Sequence, residues 1–448
     1  MNSWPQIFLP PLDDYVFPRL NLLDSNRGLV EASTSQNFSI YVCGITPYDS
    51  THLGHAATYL AFDLINRYQL LAKHQVDFIE NVTDIDDPLL ERAKRDNQDW
   101  QTLAREQIDL FKSDMSALRI IPPKKLVKVT ESFDLIEKFI AQLLDRGFLY
   151  KIEEDYYFSV GDFLKDLPMS VDQAKVIFQQ RGGDPERIGK KHPLDPVVWI
   201  ANREGDPGWP SKFGYGRPGW HVECTAIACN HLDNSNSDPI IDLQGGGSDL
   251  LFPHHYMSAK IVQAAYGREF SSLYIHAGMI GLDGEKMSKS KGNLVFVSKL
   301  LENQVDPMVI RWALLSNHYQ SDRQWSDDLL RKAESEVELL RTALSRTEVA
   351  DTDQLIKDLI SDLANNLDTP TACRALGQQK PSARARYAHS CAASSSRCCD
   401  SSKAPSRERQ EGFRPHPRQP RDPHFGLRGR CGAEAPPCPG KADRGTHR

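Results

Sequence analysis

No apolar run in these 448 residues approaches the ~20 residues needed to cross a bilayer. That argues against a membrane-spanning chain. The start, Met1-Asn2-Ser3-Trp4-Pro5, lacks the basic-then-apolar layout of a secretory leader. No internal repeat is visible, which removes solenoids and propellers. Cysteine is scarce through most of the chain: six of the nine lie from Cys373 onward. The other three, Cys43, Cys224 and Cys229, match no zinc-finger spacing. Hydrophobic residues make up 40% of the chain, enough at this length for a sizeable core and two or more domains.

Charge divides the chain. The net is −6 overall but +10 from Cys373 to Arg448, leaving −16 on residues 1–372. A body this acidic argues against a dedicated nucleic-acid binder. From Cys373 the sequence also loses periodicity and becomes rich in Arg, Ser, Pro, Cys and Ala. A basic tail that binds polyanions is one reading. A Cys/His metal module is another, but the spacing fits none. The preferred reading is an out-of-frame translation starting near Ala372, so 373–448 is expected to be a disordered tail without function.

Two short motifs carry the chemistry. His52-Leu53-Gly54-His55 places two histidines at i and i+3, on one face near a helix start. A helix start also offers free backbone N–H groups and the positive dipole end. Gly54 lets a nucleotide approach the backbone. Lys286-Met287-Ser288-Lys289-Ser290 lies in a Gly- and Ser-rich stretch that reads as a mobile loop. Two ammonium groups on such a loop can close over phosphates and reopen to release pyrophosphate. Ordinary histidines and a solvated lysine loop are the bland alternatives, and each motif argues against them by accompanying the other.

A third constellation is spread along the chain. Cys43 ends the strand-like run Phe38-Ser39-Ile40-Tyr41-Val42. Cys224 follows Gly219-Trp220-His221-Val222-Glu223, and His254-His255 follow Phe252-Pro253. Two thiolates and an imidazole are zinc ligand types, and three protein ligands leave a fourth position for substrate. A substrate thiolate would suit it. On spacing alone, buried cysteines acting as small hydrophobes are the commoner case.

Together the first two motifs resemble the HIGH and KMSKS motifs of class I aminoacyl-tRNA synthetases. With Cys43-Gly44-Ile45-Thr46-Pro47-Tyr48-Asp49, Asn81-Val82-Thr83-Asp84-Ile85-Asp86-Asp87 and Gly245-Gly246-Gly247-Ser248-Asp249, the order over roughly 37–370 resembles cysteinyl-tRNA synthetases. Several details look closer to their paralogues, the cysteine ligases of mycothiol biosynthesis. Gly-Ile-Thr-Pro follows Cys43, Gln244 precedes the glycines, and Ser258 stands where the synthetases carry a fourth ligand, Glu. Tyr256 departs from both, which usually have Glu there.

The resemblance implies zinc at Cys43, Cys224 and His254, a cysteine pocket walled by Thr46, Thr83 and Trp220, and ATP used with Mg²⁺. It implies catalytic roles for His52, His55, Lys286 and Lys289. ATP or adenylate contacts are implied at Gly44, His52, Gly54, His55, Gly245, Gly246, Gly247, Ser248, Asp249 and Lys289, with the three glycines read as a turn after the strand. The implied reaction is ATP-dependent ligation of L-cysteine to the amine of glucosaminyl-inositol, in the cytoplasm, by a monomer. A cysteinyl-tRNA synthetase is the alternative, and an inactive zinc- or adenylate-binding regulator is a third.

The expected fold is α/β: a class I synthetase-like Rossmann (HUP-type) catalytic domain with a parallel sheet, an inserted α+β segment and a C-terminal helical segment. The expected organisation is an extension at 1–36, catalytic halves at 37–125 and 216–300, an insertion at 126–215, a helical domain at 301–372 and the tail at 373–448. A helix is expected from His52 to about Lys73, from apolar Leu53, Ala57, Leu60, Leu64 and Tyr68.

Lys289→Ala is expected to slow adenylate formation roughly 10²–10³-fold, the scale for removing one transition-state donor, with far less effect on cysteine affinity. Near-normal single-turnover adenylation would return the loop to a solvated lysine segment.

Overall fold

Alternation decides the central strands. In the computed structural model, β3 (Asn37–Ile45) turns Phe38, Ile40 and Val42 to one core and Tyr41 and Cys43 to another. A strand buried on both faces is the mark of a covered parallel sheet. Residues 1–378 are described except 2, 34–35, 50, 234–237, 283, 288–291 and 348–350, with Lys286 and Gln378 in backbone only.

The chain opens with the hairpin β1 (Asn21–Asp24) and β2 (Gly28–Glu31), then β3, α1 (Leu53–Leu71), β4 (Gln75–Val82), α2 (Asp87–Arg95), α3 (Trp100–Ala117) and β5 (Lys125–Lys128). Next come α4 (Phe133–Asp145), β6 (Leu149–Ile152), β7 (Asp155–Phe158), α5 (Val171–Gln180), β8 (Val197–Ala201) and β9 (Gly216–Pro218). The chain returns through α6 (Trp220–Leu232), β10 (Ile241–Gly247), α7 (Tyr256–Tyr266), β11 (Ser271–Ala277), β12 (Ile280–Leu282) and β13 (Glu285–Lys286). It continues with α8 (Val297–Glu302), α9 (Pro307–Leu315), β14 (Arg323–Trp325), α10 (Asp327–Leu344), α11 (Asp353–Ala364) and α12 (Thr369–Gln378).

The main sheet has the order β11-β10-β3-β4-β5, and every pairing is parallel. Strand order reverses between β3 and β10, the place where open α/β sheets bind ligands. The inserted segment forms its own antiparallel sheet, β6-β7-β8-β9. The expected boundaries shift slightly: β5 carries the parallel sheet to Lys128, and β9 carries the inserted sheet to Pro218.

Residues 1–36 are more integrated than an extension. Trp4 is buried against Phe111, and its Nε1 donates to Ile120 O at 2.7 Å. Asp24 accepts from Tyr274 N at 2.8 Å, tying the hairpin to the edge strand β11. The helical region is fastened through buried Asp63 of α1, which accepts from Arg67 Nε, Arg311 Nη2 and Ile121 N, each at 2.8 Å. A carboxylate this buried is stable because every bond comes from a charge or a backbone donor.

Residues 373–378, expected as the start of a tail, are helical. Helix α12 continues to Gln378 because Ala372, Ala375 and Leu376 pack on Leu355 and Leu359. Residues 379–448, and the frame-loss reading of them, lie outside the described residues. Among the described residues no helix is long and apolar enough to cross a membrane.

Glu80 of β4 is 1% exposed, and neither carboxylate oxygen has a partner among the described residues. Burial raises its pKa from 4.5 to about 8. The folded state therefore keeps a proton that the unfolded chain releases. Stability is lost as pH rises from about 4.5 to about 8 and is flat above. Glu80→Gln should remove this slope, so its advantage over the parent grows by several kcal/mol across that window. Urea unfolding of both proteins at pH 5 and pH 8 measures it; parallel pH profiles would refute the assignment.

Candidate functional site

The carboxyl ends of β3 and β10 lie side by side, with Val42 opposite Gly245. Gly245, Gly246 and Gly247 are not the turn expected from their sequence. They are the last residues of β10, paired with Ile275, His276 and Ala277 of β11. What requires glycine is crowding. A Cβ at Gly245 would strike the Phe62 ring, and one at Gly246 would sit 2.9 Å from His255 Cε1 and Leu250 Cδ1. Gly44 is likewise pressed on the Asn81 carbonyl. Asn81, which the sequence reading left without a role, accepts from Gly44 N at 2.9 Å and Tyr41 Oη at 3.0 Å. Its amide donates to Thr83 Oγ1 at 3.1 Å, so one side chain sets both neighbours.

His52 is the N-cap of α1. Its Nδ1 accepts from Gly54 N at 3.1 Å and His55 N at 3.4 Å. The two imidazoles stack with centroids 3.8 Å apart. Burial first, and then His52, hold the His55 pKa well below 6.5. His55 is therefore neutral at pH 7, a donor at one nitrogen and an acceptor at the other.

Cys43 lies near the carboxyl end of β3, Cys224 sits on α6, and His254 follows a kink at Phe252. The two sulfurs and an imidazole nitrogen all lie within 4.8 Å of one another, and all three residues are buried. Trp220 stacks on His254 with centroids 4.1 Å apart, and His221 Nδ1 lies 3.0 Å from His254 Nδ1. The buried His254 Nε2 has no partner among the described residues. Contact with Cys43, followed by burial, pushes the Cys224 thiol well above 9. A divalent cation would satisfy the lone nitrogen and reverse the penalty on the thiols, so the donor set fits zinc. Ser258 is no ligand, since its Oγ donates to His254 O at 2.9 Å. His255 turns aside: Nε2 lies 3.2 Å from Cys43 Sγ, and Nδ1 lies 2.8 Å from His276 Nε2. His276 in turn meets Ser25 Oγ at 2.6 Å. Hydrogen bonds of this kind orient metal-binding sulfur. His276 and Ser25 sit in no motif, so the sequence held no signal for them.

One cavity of about 940 Å³ joins these parts. Cys43, Gly44, Thr46, Thr83, Trp220 and Cys224 line it together with His52, Gly54, His55, Gly247 and Asp249. His254, Gly245, Gly246 and Ser248 do not; His254 lies against the Trp220 ring. Lys286 pairs with Gly281 in a short ribbon, and its neighbour Met287 reaches the cavity. Lys289 lies outside the described residues. The sequence reading missed Asp49, Asp86, Asp87, Glu91, Arg181, Asp184 and Arg203, which also line the cavity.

The model of the tRNA synthetases class I (C) catalytic domain matches residues 29–335. A protein of Segniliparus rotundus called L-cysteine:1D-myo-inositol 2-amino-2-deoxy-alpha-D-glucopyranoside ligase is 49% identical over 391 residues, covering 84% of this chain and 92% of its own. One of the same name from Streptomyces griseus is 50% identical over 382 residues, with 84% and 92% covered. Among solved structures, Mycobacterium tuberculosis methionyl-tRNA synthetase bound by methionyl-adenylate superposes with a TM-score of 0.58 at 17% identity. That match covers 82% of this chain and 86% of the other, and it speaks to the fold alone.

The purified protein should hold about one zinc per chain, the stoichiometry of a three-ligand open site. Cys224→Ala should lose it, as read by metal analysis after dialysis. Parent-level zinc in the variant would mean that other ligands hold the metal.

Proposed function

The chain belongs to the class I (C) tRNA synthetase family and, within it, to the L-cysteine:1D-myo-inositol 2-amino-2-deoxy-alpha-D-glucopyranoside ligases, and from that premise we propose that it joins cysteine to the amine of glucosaminyl-inositol using ATP. The observation that carries this reading is the convergence on one cavity of the two thiols of a zinc-type ligand set and a pair of helix-start histidines. The first defines which amino acid enters. The second defines what is done to it.

In the first step the cysteine carboxylate oxygen attacks the α-phosphorus of ATP, used with Mg²⁺. The bond to pyrophosphate breaks, and cysteinyl-adenylate forms. The start of α1 meets this charge with the positive end of its dipole. Neutral His55 can donate to a phosphate oxygen without the desolvation cost of a buried cation. Lys286 and Lys289 neutralise the charge that builds on the departing pyrophosphate. When bound at Cys43, Cys224 and His254, zinc supplies an anchor that prefers a thiolate to a hydroxyl. Thr46, Thr83 and Trp220 wall the side chain. In the second step the acceptor amine attacks the activated carbonyl, AMP leaves, and an amide remains.

The cavity wall supports a small cationic acceptor over a polyanionic tRNA. Asp49, Asp86, Asp87, Glu91, Asp184 and Asp249 line it against two arginines, Arg181 and Arg203. Such an excess attracts an aminosugar and repels phosphodiesters outside the lysine loop.

Pyrophosphate exchange should require cysteine and should discriminate against serine by roughly 10⁴-fold, the scale reached when recognition rests on one polar group. With ATP and cysteine present, AMP formation should follow glucosaminyl-inositol and not cysteine tRNA. Equal exchange with serine would remove the zinc argument; turnover with tRNA would make the chain a synthetase.

A further inference from the structure

We propose that the acceptor is seated by the inserted domain, on the turn 180–184 that closes α5, with Arg181 as the residue that binds its hydroxyls. This rests on the ligase reading for the acceptor's chemistry, an amine on a polyol. The adenylation parts come from the ends of β3 and β10 and the start of α1. A different part of the cavity wall comes from the insertion.

That wall is built rigidly. Gly182 has φ +85°, and a Cβ on Gly183 would strike the Phe178 ring, so both glycines are required. Gly183 N donates to Phe178 O at 2.9 Å. Lys190, with a side chain only 2% exposed, donates to Asp184 Oδ1 at 2.9 Å and Asp184 O at 3.2 Å. Its ammonium also sits over the rings of Phe178 and Tyr157, at 4.9 and 5.3 Å. Tyr157 Oη donates to the other oxygen of Asp184 at 2.5 Å. A buried lysine with a lowered pKa is a costly way to hold a surface turn, unless the turn's position matters.

The exposed face of this turn carries the recognition chemistry. Arg181 Nη1 meets Asp249 Oδ2 at 3.1 Å, and the two side chains remain 32% and 30% exposed. Asp184 is 38% exposed. An arginine paired with a carboxylate offers donors and acceptors side by side. Vicinal hydroxyls match that pattern, because each can donate to one group and accept from the next. Asp249 already neutralises Arg181, which makes Arg181 a poor anchor for triphosphate. The same pair joins the turn to the end of β10, so a polyol held there stands beside the adenylate.

The test separates the two half-reactions. Arg181→Met should raise the KM for glucosaminyl-inositol about tenfold or more, the scale of one charge-assisted hydrogen bond, with kcat close to the parent's. The loss in acceptor kcat/KM should exceed the loss in cysteine-dependent pyrophosphate exchange at least tenfold. Arg181→Lys should recover part of it. The exchange assay shows that the variant is folded. An unmoved acceptor KM, or equal losses in both half-reactions, overturns the proposal; equal losses would place Arg181 on the nucleotide. Failure of the parent itself to use glucosaminyl-inositol, with exchange intact, would instead remove the ligase reading beneath it.

Discussion

Parallel pairing of β3 with β10 is the constraint on which the site depends. These strands are about 200 residues apart in sequence, yet Ile40 faces Leu243 and Val42 faces Gly245. From that register follow the crowding that demands glycine in β10 and the position of Cys43 at the open end of the sheet. The crossover after β3 must then bring α1 back over the sheet, where Phe62 packs against Gly245. The helix start that carries His52 is thus placed by the same register that places the thiol.

Burial then sets the chemistry of what has been placed. Around Cys43 are a second thiol, His254 and His255, all in low-dielectric surroundings. Desolvation is the main cause that drives the buried imidazoles His254, His255 and His276 toward their neutral forms, and neighbouring imidazoles add to it at the first two. Neutral imidazoles can pass hydrogen bonds in one direction, from Ser25 through His276 and His255 to the sulfur of Cys43. The N-terminal hairpin therefore reaches the site without touching the cavity. Its attachment to β11 through Asp24 explains why a segment that looks peripheral packs into the main core.

What could be read from the sequence was whatever lies in one contiguous stretch. The helical period of residues 53–68 located α1, and the alternation of 38–42 located β3. His52 and His55 could be paired because they stand at i and i+3. The glycines of β10 were misread because a glycine run reads locally as a turn, while the reason for it here is Phe62, almost two hundred positions earlier. Trp4 was missed for a similar reason: its partners Phe111 and Ile120 are distant, and the prolines around it suggest a loose extension. The strands β8 and β9 are too short for a period to show. Zinc-type ligands were legible only as residue types, since nothing local relates Cys43 to Cys224 or His254.

The arrangement divides labour between two sheets. On the proposed reading, elements on the parallel sheet serve the α-phosphorus and the thiol, two features that any cysteine-activating enzyme must handle. The antiparallel insertion supplies the turn 180–184, and α2 supplies Asp87 and Glu91, all on the same cavity. Arg217 of β9 pairs with Asp87, so the insertion and the start of α2 are held as one wall. With the acceptor seated on that wall, as proposed, a change of acceptor would alter the wall while leaving the register of β3 and β10 intact. Conversely, a substitution at the register would disturb thiol, helix start and glycine strand together. A specialised ligase can therefore share a fold with synthetases at 17% identity: the fold is fixed by strand pairing, and the second substrate is chosen by side chains that the pairing does not constrain.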